Sequence, residues 1–466
     1  MTTEPGPAPR SAPRHSKAKK KSYGSGARIL SLGIASTGVL SFLYLALASR
    51  ELSASDYGRV SLLWSITFVI LSVLYRPIEQ LLSRTIADRR ARGLHEHPLR
   101  TPALIQAAFA VAFLIAALAL RTWIEKDLFD GRSGLYWILV VAVLAYAGSY
   151  FARGWLAGHE HFAGYGGLVL LESTSRFLFA VAAVAGIITG PTPIAIGIAV
   201  APFVSMTVVP FAIRRMRHEH AAPPADPDAV EAAAEAADAA VEDGVTELSL
   251  RHGSRFAVSV FAIMLAEQSL MNAAVLIVQH DSGPALAGFV FNVLLIVRVP
   301  LQLFQAVQTS ILPHLTGMEA RDQGAGVARA IRITVTAITA FAGVCALGLL
   351  AIGPWAMHTV LGDKGFTYER GGLALVAVGM GFHLVAGTLN QAALARGRAA
   401  SAAAAWLLCA ALFVVWVASS VVKDEVLRVE TGYAMATFLL SGLLYVLHRR
   451  ATPTARPADP VAQPAG

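Results

Sequence analysis

Two arginines lie deep inside long apolar segments of the chain, where a charge is costly unless it faces a partner or water. Arg298 lies in the apolar run 284–302, and Arg176 lies near the middle of another such run. A guanidinium group donates hydrogen bonds from a planar fork that matches the oxygens of a phosphate. The two residues therefore indicate binding of an anionic, phosphate-bearing group inside an apolar protein.

Carboxylates placed near these arginines offer a second interpretation. Glu172 precedes Arg176 by four residues, so that both would lie on one face of a helix and neutralise each other. Glu267 lies midway along the preceding apolar run and can pair with Arg298. A paired arginine still presents free N–H groups to a ligand, so structural pairing and ligand binding are compatible.

Polar side chains accompany the charges at helical spacing. Gln302, Gln305 and Thr309 share one helix face with Arg298. On the preceding run, Gln268, Asn272 and Gln279 share a face of their own helix. Such a face can line a wet cavity and bind sugar hydroxyls, or it can join packed helices. The cavity is favoured because the polar faces share helices with the charges. The predicted substrate-binding residues are Arg176, Arg298, Glu172, Glu267, Gln268, Asn272, Gln302 and Gln305.

The elements that must position these residues are membrane-spanning helices. The chain is 55% hydrophobic and 15% charged, with a mean hydropathy of +0.58. Its apolar residues form blocks long enough to cross a bilayer, and each block must be helical because lipid cannot satisfy backbone groups. We predict an all-α polytopic membrane protein with twelve spans: 29–49, 59–82, 102–120, 134–157, 164–188, 193–213, 254–279, 285–309, 328–353, 371–395, 399–421 and 428–447.

The basic residues set an orientation. Most of the 38 Lys and Arg residues fall on alternate loops, which predicts cytoplasmic N and C termini. The net charge of +8 is therefore explained by topology, and we expect no nucleic-acid partner. Cys345 and Cys409 both fall inside predicted spans, so we expect neither a disulfide nor a metal site, and no cofactor.

A long acidic, Ala-rich segment divides the spans into two sets of six. Tyr57-Gly58 opens the second predicted span, and Ala287-Gly288 opens the eighth, 230 residues later. This match favours a six-plus-six repeat with a site between the halves. We predict a disordered basic tail, a first six-helix lobe, a cytoplasmic linker, a second lobe and a disordered tail, at 1–28, 29–213, 214–253, 254–447 and 448–466.

Four stretches resemble the multidrug/oligosaccharidyl-lipid/polysaccharide (MOP) exporter superfamily, in its bacterial O-antigen and exopolysaccharide flippase branch. They are 52–58 (Leu-Ser-Ala-Ser-Asp-Tyr-Gly), 153–158 (Arg-Gly-Trp-Leu-Ala-Gly) with Tyr165, Arg298-Val-Pro300 leading to Leu312-Pro313, and 390–397 (Asn-Gln-Ala-Ala-Leu-Ala-Arg-Gly). The resemblance implies two lobes around a central cavity and alternating access in a bacterial cytoplasmic (inner) membrane. It also implies a polyprenyl-pyrophosphate-linked oligosaccharide as cargo, with membrane lipids, glycosyltransferases and a polysaccharide polymerase as partners.

Other functions remain open at the level of sequence. An ion-coupled multidrug antiporter of the same superfamily needs free membrane carboxylates, and here each candidate, Glu172 and Glu267, has an arginine available. A major facilitator is weakly suggested by residues 87–93, whose leading glycine is missing. A polysaccharide polymerase or ligase needs a large outer loop with catalytic groups, and the outer segments 121–133 and 354–370 are short. We therefore expect a transporter and not an enzyme; a scaffold is the remaining alternative.

Overall fold

The computed structural model describes residues 15–91, 99–219, 246–319 and 324–449, and no described residue lies in a strand. A short helical turn at Arg121–Trp123 continues into a π-helical turn at Ile124–Leu128. The main helices, in chain order, are α1 (His15–Glu51), α2 (Ala54–Leu74), α3 (Arg76–Ala91), α4 (Arg100–Ala119), α5 (Ser133–Gly158), α6 (Phe162–Val184), α7 (Pro191–Met206), α8 (Val208–Glu219), α9 (Thr246–Ser282), α10 (Pro284–Glu319), α11 (Gly324–Leu361), α12 (Arg370–Ala395), α13 (Ala399–Ala418) and α14 (Glu425–Arg449).

Twelve helical segments are long and apolar enough to cross a membrane, which confirms the predicted all-α, twelve-span architecture. Two of these spans are built from two helices each. The α2–α3 span is interrupted at Tyr75 and the α7–α8 span at Thr207. Pro77 and Pro210 follow these breaks closely, and a proline removes a backbone donor from the helix.

The two halves of the chain repeat one packing pattern. In the first half α1 packs on α6, α3 on α5, and α5 on α7. In the second half the equivalent spans pair in the same way, α9 on α13, α10 on α12, and α12 on α14. The third and ninth spans, α4 and α11, are peripheral and expose large apolar side chains such as Ile115 and Val344, as helices that face lipid do. The fold is thus two six-span lobes of like topology.

The lobes meet through the first two spans of the first half and the first three of the second. Helix α2 packs on α9 and α10, and α1 packs on α10 and α11. The closest approach is at Gly58, where an added Cβ would lie 1.7 Å from the carbonyl oxygen of Pro284. Only glycine permits this contact, because any side chain would collide with the backbone of α10.

The predicted tails and linker lie largely outside the described residues. Helix α1 begins at His15, so it reaches into the segment 1–28 that the sequence predicts to be a disordered tail. Residues 1–14, the central linker residues 220–245 and the final residues 450–466 are outside the described part of the chain.

Candidate functional site

The first lobe buries one carboxylate between two arginines. Oε2 of Glu172 accepts a hydrogen bond from Nη2 of Arg153 at 2.5 Å, and Oε1 accepts one from Nη1 of Arg176 at 3.0 Å. The hydroxyl of Ser149 also donates to Oε2, at 3.2 Å. Glu172 and Arg176 are each 2% exposed. The predicted pairing of Glu172 with Arg176 is therefore present, and the triad with Arg153 carries one net positive charge.

Arg176 is enclosed by aromatic side chains as well. Its Nη1 donates a short hydrogen bond to the hydroxyl of Tyr146. Its guanidinium carbon lies 5.3 Å from the ring centroid of Trp64 and 5.6 Å from that of Phe68, within the range of cation–π attraction. In this conformation the side chain of Arg176 is sealed inside the first lobe, and a ligand would reach it only after α2 moves.

Sequence reasoning missed part of this cluster. Arg153 is 19 residues from Glu172, on a different helix, so no local spacing predicts that pair. Glu79 lies near the end of a span, but its Oε1 accepts a 2.7 Å hydrogen bond from the hydroxyl of Tyr165. The sequence signals for Arg153 were its position inside an apolar block, as for Arg176, and its place in the stretch 153–158 that carries the family resemblance.

Arg298 in the second lobe has no carboxylate partner among the described residues. Its Nη2 donates to the carbonyl oxygen of Met271 at 2.7 Å and to Oδ1 of Asn272 at 2.9 Å. Its guanidinium carbon lies 4.5 Å from the ring centroid of Phe291. The expected pair with Glu267 does not form, and the half-buried positive charge of Arg298 is held by neutral groups.

The polar faces on α9 and α10 are partly joined to Arg298. Oε1 of Gln268 accepts a hydrogen bond from Nδ2 of Asn272 at 3.2 Å, so these two amides and Arg298 form a continuous polar chain. Gln302 approaches the first lobe, since a Cβ added to Gly38 of α1 would lie 3.4 Å from Oε1 of Gln302. Gln305 lies in α10, but its side chain is outside the described part of the structure.

Glu267 lines a separate small cavity of about 50 Å³ within the second lobe, together with His383, Asn390, Gln391 and Trp406. Three buried polar atoms of these residues have no hydrogen-bond partner: Nε2 of His383, Oδ1 of Asn390 and Nε1 of Trp406. Glu267 makes no hydrogen bond or ion pair with a described residue, and its electrostatic neighbour is Arg76 of the first lobe. Such a cavity can hold water or a small cation.

Two tyrosines form a chain of electrostatic neighbours from Arg298 to Arg176. Tyr57 interacts electrostatically with Arg298 and with Tyr44, and Tyr44 interacts with Arg176. The hydroxyl of Tyr44 donates to the carbonyl oxygen of Ile194 at 3.0 Å. Tyr57 therefore lies at the junction of the lobes, where its hydroxyl donates to Asn292, and Tyr44 is buried in the first lobe beside Arg176.

The lobes are joined at one end, which we call the outer end: the end away from the start of α1 and the end of α14. Five hydrogen bonds cross between lobes among the described side chains, and all lie there. Tyr57 donates to Asn292, Asn292 to Ser49, Ser49 to Leu361, Arg50 to Thr359 and Lys364 to Leu52, at 2.5–3.1 Å. Burial lowers the pKa of the Lys364 ammonium in this joint. The outer end is thus closed.

These features define a class: a helical, multi-pass membrane protein of two like lobes with charged groups inside each lobe and a closed outer end. No protein-family model and no curated sequence match the chain. Its fold is similar to that of the Vibrio cholerae MATE transporter VcmN in the bent form, with a TM-score of 0.56 at 13% identity over 92% of this chain and 97% of that one.

Three further solved structures share this fold. The lipid II flippase MurJ, in an inward closed conformation, has a TM-score of 0.58 at 11% identity, covering 90% of this chain and 87% of that one. A eukaryotic MATE transporter has a TM-score of 0.58 at 13% identity, covering 93% and 96%. A multidrug resistance MATE family transporter of the MOP superfamily, in an inward-facing conformation, also has this fold, with a TM-score of 0.55 at 12% identity over 90% of this chain and 97% of that one. The chain therefore shares the fold of these transporters.

Proposed function

We propose that this protein is a flippase that moves a polyprenyl-pyrophosphate-linked oligosaccharide from the cytoplasmic to the outer leaflet of a bacterial inner membrane by alternating access. Glycosyltransferases would supply this cargo and a polysaccharide polymerase would use it. The proposal rests on the resemblance of the sequence to polysaccharide exporters and on the electrostatics of the second lobe. The fold that it shares with a lipid II flippase supports it.

The observation that carries the proposal is the uncompensated charge of Arg298. A guanidinium held by a carbonyl and an amide keeps its full charge and unused donors, whereas one held by a carboxylate is neutralised. A cation inside a membrane protein is costly, and one that no carboxylate neutralises marks a functional site by default. A pyrophosphate that enters between the lobes supplies that anion, and the amides of Gln268 and Asn272 offer hydrogen bonds to the attached sugars.

Transport of this cargo is favoured by an inside-negative membrane potential. Moving one negative charge outward is worth about 2.3 kcal/mol per 100 mV. The Arg153–Glu172–Arg176 triad gives the first lobe one net positive charge. Both lobes therefore attract the pyrophosphate. In an alternating-access cycle, cargo enters from one side while the other side is closed. The closed outer end corresponds to the half of the cycle in which cargo enters from the cytoplasm.

The direct test is flipping of a fluorescent polyprenyl-pyrophosphate-linked oligosaccharide in proteoliposomes, followed by chemical quenching from outside. Arg298→Ala should lose most of the flipping rate, and Arg298→Lys should retain part of it. Arg100→Ala is the control, because Arg100 is exposed at the start of α4. Equal rates for the wild type and Arg298→Ala would remove the basis of the proposal.

One observation favours a second function, an ion-coupled multidrug antiporter. Among the described residues Glu267 has no ion-pair partner, and it lines a cavity with three unpartnered polar atoms, which suits reversible binding of a proton or a small cation. Under this alternative, Glu267→Gln abolishes drug resistance in cells that express the protein, and Glu160→Gln, at an inter-helix turn, leaves it intact. Absence of any resistance phenotype in the wild type would leave the flippase proposal.

A further inference from the structure

A second, larger cavity opens at the outer end of the second lobe, away from the two arginines. Its volume is about 470 Å³, within the range of about 300–1,000 Å³ of small-molecule sites. It lies between the first turns of α10 and α14 and two connections, 362–369 and 419–424. None of its lining residues belongs to the first lobe, so it is separate from the space between the lobes.

One wall of this cavity is aromatic. The ring centroid of Phe289 lies 5.1 Å from that of Phe366 and 4.5 Å from that of Tyr368. Burial raises the pKa of Tyr368 to about 12, so its phenol stays neutral at physiological pH. The three rings therefore present an uncharged, electron-rich surface to the cavity, of the kind that attracts organic cations.

The opposite side carries carboxylates. Glu430 is 2% exposed and makes no hydrogen bond or ion pair with a described residue, although it lines the cavity. Its electrostatic neighbours are two further acids, Asp424 and Glu369. Lys423 also lines the cavity, but it is exposed, and Glu425 is engaged with Ser282 at 2.6 Å. The buried carboxyl group of Glu430 thus has acids as its electrostatic neighbours and no cation within ion-pair distance among the described residues.

The backbone makes room for this carboxylate. A Cβ added to Gly372, in the first turn of α12, would lie 1.9 Å from Oε2 of Glu430. The carboxylate therefore rests directly on the start of α12, where the helix dipole favours a negative charge. This placement explains how Glu430 is tolerated without a partner, but it leaves its charge facing the cavity.

We propose that this outer cavity binds an organic ammonium group, with Glu430 as the counter-ion and Phe289, Phe366 and Tyr368 as the aromatic wall. A metal ion is the less suitable occupant, because no group of three or more acidic, His or Cys side chains among the described residues could hold one. The aromatic wall suits an alkylated or primary amine instead. The source is either a soluble amine outside the cell or the ammonium head group of a lipid.

Occupancy also affects the joint between the lobes. Tyr368, in the cavity wall, is hydrogen-bonded by Asn292 at 3.5 Å, and Asn292 accepts from Tyr57 of the first lobe. Lys364, in the same connection as Phe366, donates to the backbone of Leu52. An ammonium ligand held against this connection therefore stabilises the closed outer end.

The test measures binding of benzyltrimethylammonium to the full chain in phosphatidylglycerol nanodiscs by calorimetry, with benzenesulfonate as a probe of similar shape and opposite charge. We expect saturable binding of the cation only. Glu430→Gln should weaken it about tenfold, as loss of a close counter-ion does. Glu51→Gln is the matched control, because Glu51 is an exposed acid at the outer end that does not line the cavity.

A second variant and a second membrane complete the experiment. Phe366→Ala should also weaken binding of the cation. Phe366 is half-buried in a connection between helices, so this variant is the second test if Glu430→Gln folds poorly. Weaker apparent binding in phosphatidylethanolamine nanodiscs would identify a lipid head group as the occupant; equal binding would identify a soluble amine. No saturable binding by the wild type, or unchanged binding in both variants, would overturn the proposal.

Discussion

Gly58 of the first lobe and Gly288 of the second contact each other directly: a Cβ added to Gly288 would lie 2.8 Å from the Cα of Gly58. These two glycines occupy equivalent places in the repeat, 230 residues apart. When equivalent residues of two like lobes touch, the axis that relates the lobes passes between them. The outer end is therefore closed at its symmetry axis by backbone against backbone.

A methyl group at this point should prevent closure. Gly58→Ala would force its Cβ into the carbonyl of Pro284, so we expect the outer end to stay open. Cross-linking by a short bis-maleimide between cysteines at positions 50 and 359, where the side chain of Arg50 now reaches the carbonyl oxygen of Thr359 at 2.7 Å, should decrease. Gly343→Ala is the control because nothing lies within 4 Å of its added Cβ. Undiminished cross-linking in Gly58→Ala would show that the contact is not needed for closure.

The buried triad predicts an asymmetry between its members. Glu172→Gln removes the carboxylate that both Arg153 and Arg176 hydrogen-bond, which costs about 3–5 kcal/mol. Arg176→Met leaves Glu172 still paired with Arg153, so it should cost less. Thermal unfolding of the purified protein in detergent would rank the two variants, and a larger loss in Arg176→Met would contradict this account.

Asn272 offers a test of the charge of Arg298 that leaves the arginine in place. Asn272→Asp puts a carboxylate within hydrogen-bonding distance of Nη2 and should reduce cargo affinity about tenfold, or about 1.4 kcal/mol. Asn272→Ala removes the acceptor without adding charge and should retain more affinity. The measurement is concentration-dependent flipping in proteoliposomes, and equal loss in both variants would indicate a structural role only.

Replacing the arginines of both lobes should abolish export. We expect the double variant Arg176→Ala, Arg298→Ala to insert into the membrane normally but to produce no surface polysaccharide in a complementation assay. Membrane extracts probed by immunoblotting control for insertion. Full polysaccharide output from the double variant would count against an anionic, phosphate-linked cargo.

The twelve spans could be predicted from sequence because the bilayer dictates both their length and their apolar character. The pair between Glu172 and Arg176 could be predicted because four residues along a helix return to the same face. The interruptions at Tyr75 and Thr207 lie just before prolines whose effect on a helix is local. Each of these features depends on neighbours in the sequence or on the solvent.

The partner of Arg298 could not be predicted in this way. Glu267 and Asn272 are five residues apart on α9, which at 3.6 residues per turn places them about 140° apart around the helix. The rotation of α9 against α10 turns Asn272, and not Glu267, towards Arg298. That rotation depends on packing between many residues. The same reasoning explains why Arg153, on α5, was not recognised as the second partner of Glu172.

Four of the helices that meet between the lobes or flank that space are much longer than a bilayer requires. Helices α1, α9, α10 and α11 have 37, 37, 36 and 38 residues, or about 55 Å each, against about 30 Å of hydrocarbon. Their surplus turns project on the side of the chain termini. Under the proposed function, a glycan approaching from that side would meet these projecting helices before it reaches the lipid-embedded part of the spans.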